Sequence, residues 1–152
     1  MKKINRYILI FLNILCIAFV FYNSLKSGES SSETSSGFLK VFNGFLQDIN
    51  LPIITEELLR SIAHFSEFFL LGILQFCLYN NLLITPKKYF PAVAFSSIFI
   101  PFIDETLQYF SVGRAAEVVD MWKDFGGYIC GAIITFGIIS LIKAIQKNDR
   151  KK

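Results

Sequence analysis

A chain of 152 residues that is 53% hydrophobic and carries 17 Phe holds more apolar surface than a soluble domain of this size needs for its core. A mean hydropathy of +0.51 points the same way, towards a membrane, and the spans and loops found below leave room for one domain only, residues 1–152. The formal charge of +3 gathers at the two ends and one short turn, so it marks membrane topology and gives no footing for nucleic acid.

The first predicted span covers residues 7–25, an uncharged run that follows Lys2, Lys3 and Arg6. About 20 residues cross a hydrocarbon core as a helix. A signal peptide would begin in the same way. Tyr22-Asn23-Ser24-Leu25 is a poor substitute for a small-residue cleavage site, and a retained helix is the expectation. Residues 27–37 are rich in Ser and read as a loop. Phe38, Val41, Phe42, Phe45, Leu46 and Ile49 then recur at helical spacing. That face suits an outer amphipathic helix lying on the membrane, or a helix packed on the end of the bundle.

Thr55 reads as an N-cap, with Glu56 and Glu57 in the first turn, where the helix dipole favours acids. The second span is expected at about residues 61–85 and ends in a tight turn at Thr85-Pro86-Lys87-Lys88. The third, about 89–110, is long enough only if its helix runs on through Asp104 and Glu105, and Pro101 should kink it. The fourth, about 125–142, precedes a basic tail. Cys16, Cys77 and Cys130 each lie in an apolar run with no CxxC spacing, and read as buried structural thiols.

Orientation follows from Lys and Arg. With both termini cytoplasmic, the inner segments hold Lys2, Lys3, Arg6, Lys87, Lys88, Lys143, Lys147, Arg150, Lys151 and Lys152. The outer segments hold Lys26, Lys40, Arg60, Arg114 and Lys123, which completes the 15 Lys and Arg of the chain. The fold class is therefore an all-α membrane protein of four transmembrane helices with an outer amphipathic helix.

His64 and Glu67 share one helix face in the second span, roughly 5 and 9 Å deep at 1.5 Å per residue. Asp104, Glu105 and Gln108 close the third span, Gly113-Arg114 follows, and Asp120 and Asp124 open the fourth. The orientation puts them all at the outer leaflet. Ionisable groups in a membrane are costly and find partners, so they mark function by default. Glu67, Asp104, Glu105, Asp120 and Asp124 face one nearby Arg, one Lys and one His, an imbalance that suggests a raised carboxyl pKa, a bound cation or a cationic ligand. The bland readings are solvated helix-start acids at Asp120 and Asp124, and a structural hydrogen bond for His64 with Glu67. Gly127 and Gly131 form G-x-x-x-G, which close helix packing explains in full. Trp122, Tyr109 and Tyr128 read as interface anchors. No soluble-enzyme motif is present, and a single His cannot build a His-rich zinc site, so no metal is assigned.

Three blocks carry a resemblance: Arg60-Ser61-Ile62-Ala63-His64-Phe65-Ser66-Glu67-Phe68 with Leu71-Gly72; Asp104-Glu105-Thr106-Leu107-Gln108; and Gly113-Arg114 with Asp120, Asp124, Gly127 and Gly131. In this order and spacing they resemble the VanZ-like family of bacterial membrane proteins. Phe21-Tyr22-Asn23-Ser24 is a weaker echo. Phe68 stands where the family usually has Tyr, Val112 where it often has Pro, and Ile62 where a basic residue is common. The resemblance implies a multi-pass protein of the cell membrane with an envelope role, since the family takes its name from an accessory protein linked to resistance against the glycopeptide teicoplanin. It implies a polar site drawn from His64, Glu67, Asp104, Glu105 and Asp120 as candidates for chemistry, with Gln108, Arg114 and Asp124 as ligand-binding residues. Two functions fit. One is binding of a lipid-linked cell-wall component or lipid-bearing glycopeptide. The other is a membrane-embedded enzyme that uses carboxylate and His acid–base chemistry on a lipid, with Mg²⁺ held by the acids as one option. Membrane lipids are partners in both, and no cofactor is assigned.

The orientation has a direct test. In a cysteine-free background, Ser30→Cys should react with an impermeant thiol reagent in intact cells and Lys87→Cys only after permeabilisation; the reverse pattern overturns it.

Overall fold

The computed structural model describes residues 5–83 and 85–149. Lys2, Lys3, Arg150, Lys151 and Lys152, half of the basic residues counted on the inner side, lie outside the described residues. Five helices follow one another: α1 (Arg6–Ser24), α2 (Gly28–Asp48), α3 (Glu56–Leu83), α4 (Pro86–Phe110) and α5 (Val118–Asp149). Among the described residues there is no strand. Four helices, all but α2, are long and apolar enough to cross a membrane. Only 22% of the apolar window of α1, and the same share of α5, is buried inside the protein, so most of the apolar surface faces outward, as lipid requires.

The boundaries follow local chemistry. Asn5 caps α1 by accepting from the Tyr7 amide at 3.0 Å, and Thr55 caps α3 through the Leu58 amide at 3.2 Å. The third spanning helix runs through Asp104 and Glu105 as its length demanded, with Pro91 and Pro101 inside it. The turn between α3 and α4 is tighter than expected, because Pro86 already opens α4 and takes Lys87 and Lys88 into it. The helix α5 is longer than its uncharged stretch at both ends: Asp120 lies in its first turn and Lys147 in its last, each where the dipole favours it.

The Ser-rich segment corrects the sequence reading. It is helix, not loop, and α2 is continuous from Gly28. Ser27 caps it by accepting from the Ser30 amide at 3.3 Å. Inside it, Thr34 Oγ1 donates to the Ser30 carbonyl at 2.8 Å and Ser36 Oγ to that of Glu33 at 3.0 Å. These hydroxyls spend their hydrogen bonds on the helix's own carbonyls and so do not compete with it. Phe38, Val41, Phe42 and Phe45 of this helix and Ile49 at its C-cap are exposed, and Leu46 is buried.

The helix α3 is the centre of the bundle and touches each of the other four, most extensively α5. Glycines set that seam. A Cβ on Gly127 would overlap the carbonyl oxygen of Phe65, one on Gly131 that of Phe69, and one on Gly72 that of Tyr128. Helix backbones therefore touch, the packing that the G-x-x-x-G spacing predicts. Hydrogen bonds add to it. Tyr128 Oη donates to Gln75 Oε1 at 2.7 Å, Tyr79 Oη pairs with Ser96 Oγ at 2.7 Å, and Asn13 Nδ2 donates to the Leu9 and Leu74 carbonyls at 2.8 and 3.1 Å.

Two further expectations need correcting. Tyr128 is fully buried and bonded to Gln75, so it ties helices together and is no interface anchor; Trp122 and Tyr109 are exposed, as anchors should be. Of the three free thiols only Cys16 is buried, and Cys130 is exposed.

Gly131→Val should lower the midpoint of thermal unfolding in detergent by an amount equivalent to about 1–3 kcal/mol, because the added atoms meet backbone that cannot yield. Gly37→Ala, in open space within α2, should be neutral or stabilising by up to about 1 kcal/mol. Equal effects would remove the seam from its structural role.

Candidate functional site

Successive spans run in opposite directions, so the C-terminal ends of α1 and α4 meet the N-terminal turns of α3 and α5 at one end of the bundle. Every candidate residue from the sequence lies there. His64 Nδ1 and Asp124 Oδ1 are 3.2 Å apart, a pair between α3 and α5 held by the glycine seam. Asp124 is fully buried and its Oδ2 has no hydrogen-bond partner. Asp104 of α4 is also fully buried, and donor atoms of His64, Asp104 and Asp124 lie within 4.8 Å of one another.

Asp104 is held by neutral donors. Ser24 Oγ donates to its Oδ1, and Gln108 Nε2 to its Oδ2 at 2.8 Å. The same Gln108 nitrogen reaches Glu105 Oε1 at 3.1 Å, and the other oxygen of Glu105 accepts the Glu117 amide at 2.9 Å. Glu105 thus fastens the 111–117 loop to α4 and lines a crevice with Phe102, Tyr109 and Met121. Glu67 accepts from Asn23 Nδ2 at 3.0 Å. Asp120 stands apart from the buried trio and pairs with Lys123 Nζ at 2.6 Å on the rim. Among the described residues the only ion pairs within 4 Å are His64–Asp124 and Lys123–Asp120.

Arg114 is positioned by the loop before it. Gly113 adopts a φ of +75°, and the Gly28 amide donates to the Val112 carbonyl at 2.9 Å. A Cβ at Gly28 would overlap the Gly113 carbonyl oxygen, so the start of α2 can lie flat on this loop. One guanidinium nitrogen of Arg114 donates to the Asn23 carbonyl at 2.9 Å, while its Nε is buried without a partner. Burial and the like charge of Arg60 hold its pKa below the ordinary value, against an upward pull from Asp104, Glu105 and Asp120. Among the described residues no carboxylate lies within 4 Å of the Arg114 guanidinium nitrogens.

Two hollows of similar size share this end. One, of about 520 Å³, lies between α1, α2 and α3, with Phe19, Phe38, Leu59 and Ala63 as apolar wall and His64 and Glu67 among its polar lining. The other, of about 530 Å³, is polar and bordered by Glu29, Glu57, Glu117 and Asp120. Arg60 and Arg114 line both.

A protein-family model described as VanZ/LLP1 matches residues 9–142, most of the chain. The chain belongs to the VanZ/LLP1 family. With its four long apolar helices it is a multi-pass membrane protein of that family. No curated protein and no solved structure matches it. Phe68 is fully buried in the core of the bundle.

Asn23, Ser24, Ser111 and Arg60 also belong to this end of the bundle, although the sequence offers Arg60 only as the start of a family block and Asn23 and Ser24 only as part of its weaker echo. Ser111 Oγ donates to the Ser24 carbonyl at 2.9 Å and so closes α4 on α1. A signal for Asn23 and Ser24 was present: polar residues at the end of an otherwise apolar span.

The geometry separates the two aspartates of α5. In thermal unfolding, the effects of His64→Ala and Asp124→Asn should fail to add by about 0.5–3 kcal/mol, whereas His64→Ala and Asp120→Asn should add within about 0.5 kcal/mol. The opposite ranking would mean that His64 answers to Asp120.

Proposed function

We propose that this protein binds an anionic, lipid-linked ligand of the cell envelope, a cell-wall precursor or a lipid-bearing glycopeptide, at an outer-leaflet site, and acts in glycopeptide (teicoplanin) resistance. Both termini are cytoplasmic in this reading, the cell membrane is its location, and α2 lies along the outer surface with its exposed Phe face in lipid. One observation carries it: the hollow between α1, α2 and α3 has an apolar wall of Phe19, Phe38 and Leu59 and a rim bearing Arg60 and Arg114. Chains would lie against the wall and a phosphate or carboxylate against the guanidinium groups, which grip such planar or branched anions with paired hydrogen bonds. Arg114 suits that task because it lines the hollow and, among the described residues, has no carboxylate in ion-pair range.

A second reading, a membrane-embedded enzyme with acid–base chemistry on a lipid, is favoured by the His64–Asp124 pair beside the same hollow. An imidazole oriented by a buried carboxylate is a common general base.

Arg114→Lys tests the binding reading, because lysine keeps the charge and loses the fork. Lipids copurifying with the protein, identified by mass spectrometry, should include a phosphate-bearing species that falls at least about tenfold (about 1.4 kcal/mol) in the variant, with unfolding unchanged. An identical lipid profile in the two proteins would refute the clamp.

A further inference from the structure

We propose that His64, Asp104 and Asp124 form a binding site for one divalent transition-metal ion of the zinc class. The inference stands independently of the lipid reading, since it needs no occupant in the hollow.

The three residues come from three helices, and their donor atoms lie within 4.8 Å of one another. Bonds of about 2.0–2.2 Å to one tetrahedral ion place neighbouring donor atoms roughly 3.4 Å apart. His64 Nδ1 and Asp124 Oδ1, at 3.2 Å, already have nearly that separation, and an ion entering between them would draw in the Asp104 oxygen from a distance of at most 4.8 Å.

The independent sign is Asp124 Oδ2. It belongs to a fully buried residue and has no hydrogen-bond partner. A buried carboxylate oxygen left bare is costly, and a cation bound through both oxygens of Asp124 would satisfy it. Charge agrees. Two carboxylates and a neutral imidazole sum to −2, and no Lys or Arg reaches Asp104 or Asp124 within 4 Å among the described residues. The outer shell is that of a ligand as well: Ser24 Oγ and Gln108 Nε2 donate to the two oxygens of Asp104 and hold the carboxylate in place.

The donor set argues for the metal class. One imidazole nitrogen with carboxylate oxygens suits Zn²⁺ or Mn²⁺ better than Mg²⁺, which keeps oxygen ligands and its own waters. Three protein ligands leave a coordination position open, the arrangement of a metal that meets a ligand, and His64 borders the hollow from which one would come. A single histidine is thus sufficient, because two helices supply the carboxylates that a His-rich site would not need.

The test uses the full chain, purified in detergent, stripped with a chelator and dialysed against Zn²⁺, with the metal content read by mass spectrometry. The wild type should retain one Zn²⁺ per chain, and Asp124→Asn and His64→Ala should each retain less than about one tenth of that. Cys130→Ser should retain full occupancy, which excludes the exposed thiol as the binder. Co²⁺ titrated into the wild type should give the intense visible bands of a low-symmetry tetrahedral ion, a readout that survives if the variants fail to fold. A wild type without stoichiometric zinc or Co²⁺ bands, an Asp124→Asn variant that keeps its zinc, or a Cys130→Ser variant that loses it would each overturn the proposal.

Discussion

Lipid tails are as apolar as the side chains they surround, so spanning helices gain little by hiding apolar surface from one another. Their association rests on close packing and on hydrogen bonds that have no competing water. In this protein both meet along the contact of α3 with α5, where Gly72, Gly127 and Gly131 let one backbone lie on the other. His64 precedes Phe65, whose carbonyl Gly127 touches, and Asp124 lies one turn before Gly127. The approach that the glycines permit is therefore what brings an imidazole from one helix within reach of a carboxylate on the next. Larger residues at those positions would part the helices and leave both groups without their partner.

The polar end of the bundle keeps its charges apart. The buried acids are held mainly by neutral groups: Asp104 by Ser24 and Gln108, Glu105 by Gln108 and a backbone amide, Glu67 by Asn23. The guanidinium groups of Arg60 and Arg114 instead border the hollows. A protein built only for stability would pair such groups, since an unpaired buried charge is costly. The carboxylates of Asp104 and Asp124 thus lie inside the bundle, while Arg60 and Arg114 stand at the hollows, one of which is also bordered by Glu29, Glu57, Glu117 and Asp120.

The cover of this end depends on small backbone features. Gly113, at positive φ, turns the 111–117 loop, and the Gly28 amide fastens the start of α2 to it. Asn43 ties the other part of α2 to the approach of α3, donating to the Ile54 carbonyl at 3.0 Å and accepting the Ile54 amide at 2.9 Å. The helix is thus pinned at two points, and between them Phe38 adds to the apolar wall of a hollow whose polar lining includes residues of α1 and α3, Arg114, and Ser31, Thr34 and Ser35 of α2 itself.

The sequence by itself determined the number and approximate position of the spans, because the free energy of placing a segment in hydrocarbon is close to a sum over its residues. It also determined that His64, Asp104 and Asp124 lie near the same end, because helical rise converts sequence distance into depth, and that Gly127 and Gly131 pack closely. Tertiary structure alone decided which carboxylate meets the imidazole. His64 and Glu67 share a face, yet His64 turns to Asp124 and Glu67 to Asn23. Asp120, one turn from Asp124, went to Lys123 on the rim. Tyr128 was drawn into the core, Cys130 was left outside, and the Ser-rich segment became helix against a loop it could bond to. Except for the Ser-rich helix, each of these outcomes depends on how far a helix is rotated about its own axis. Composition and periodicity define a helix's faces, but the neighbouring helices choose the direction in which each face points.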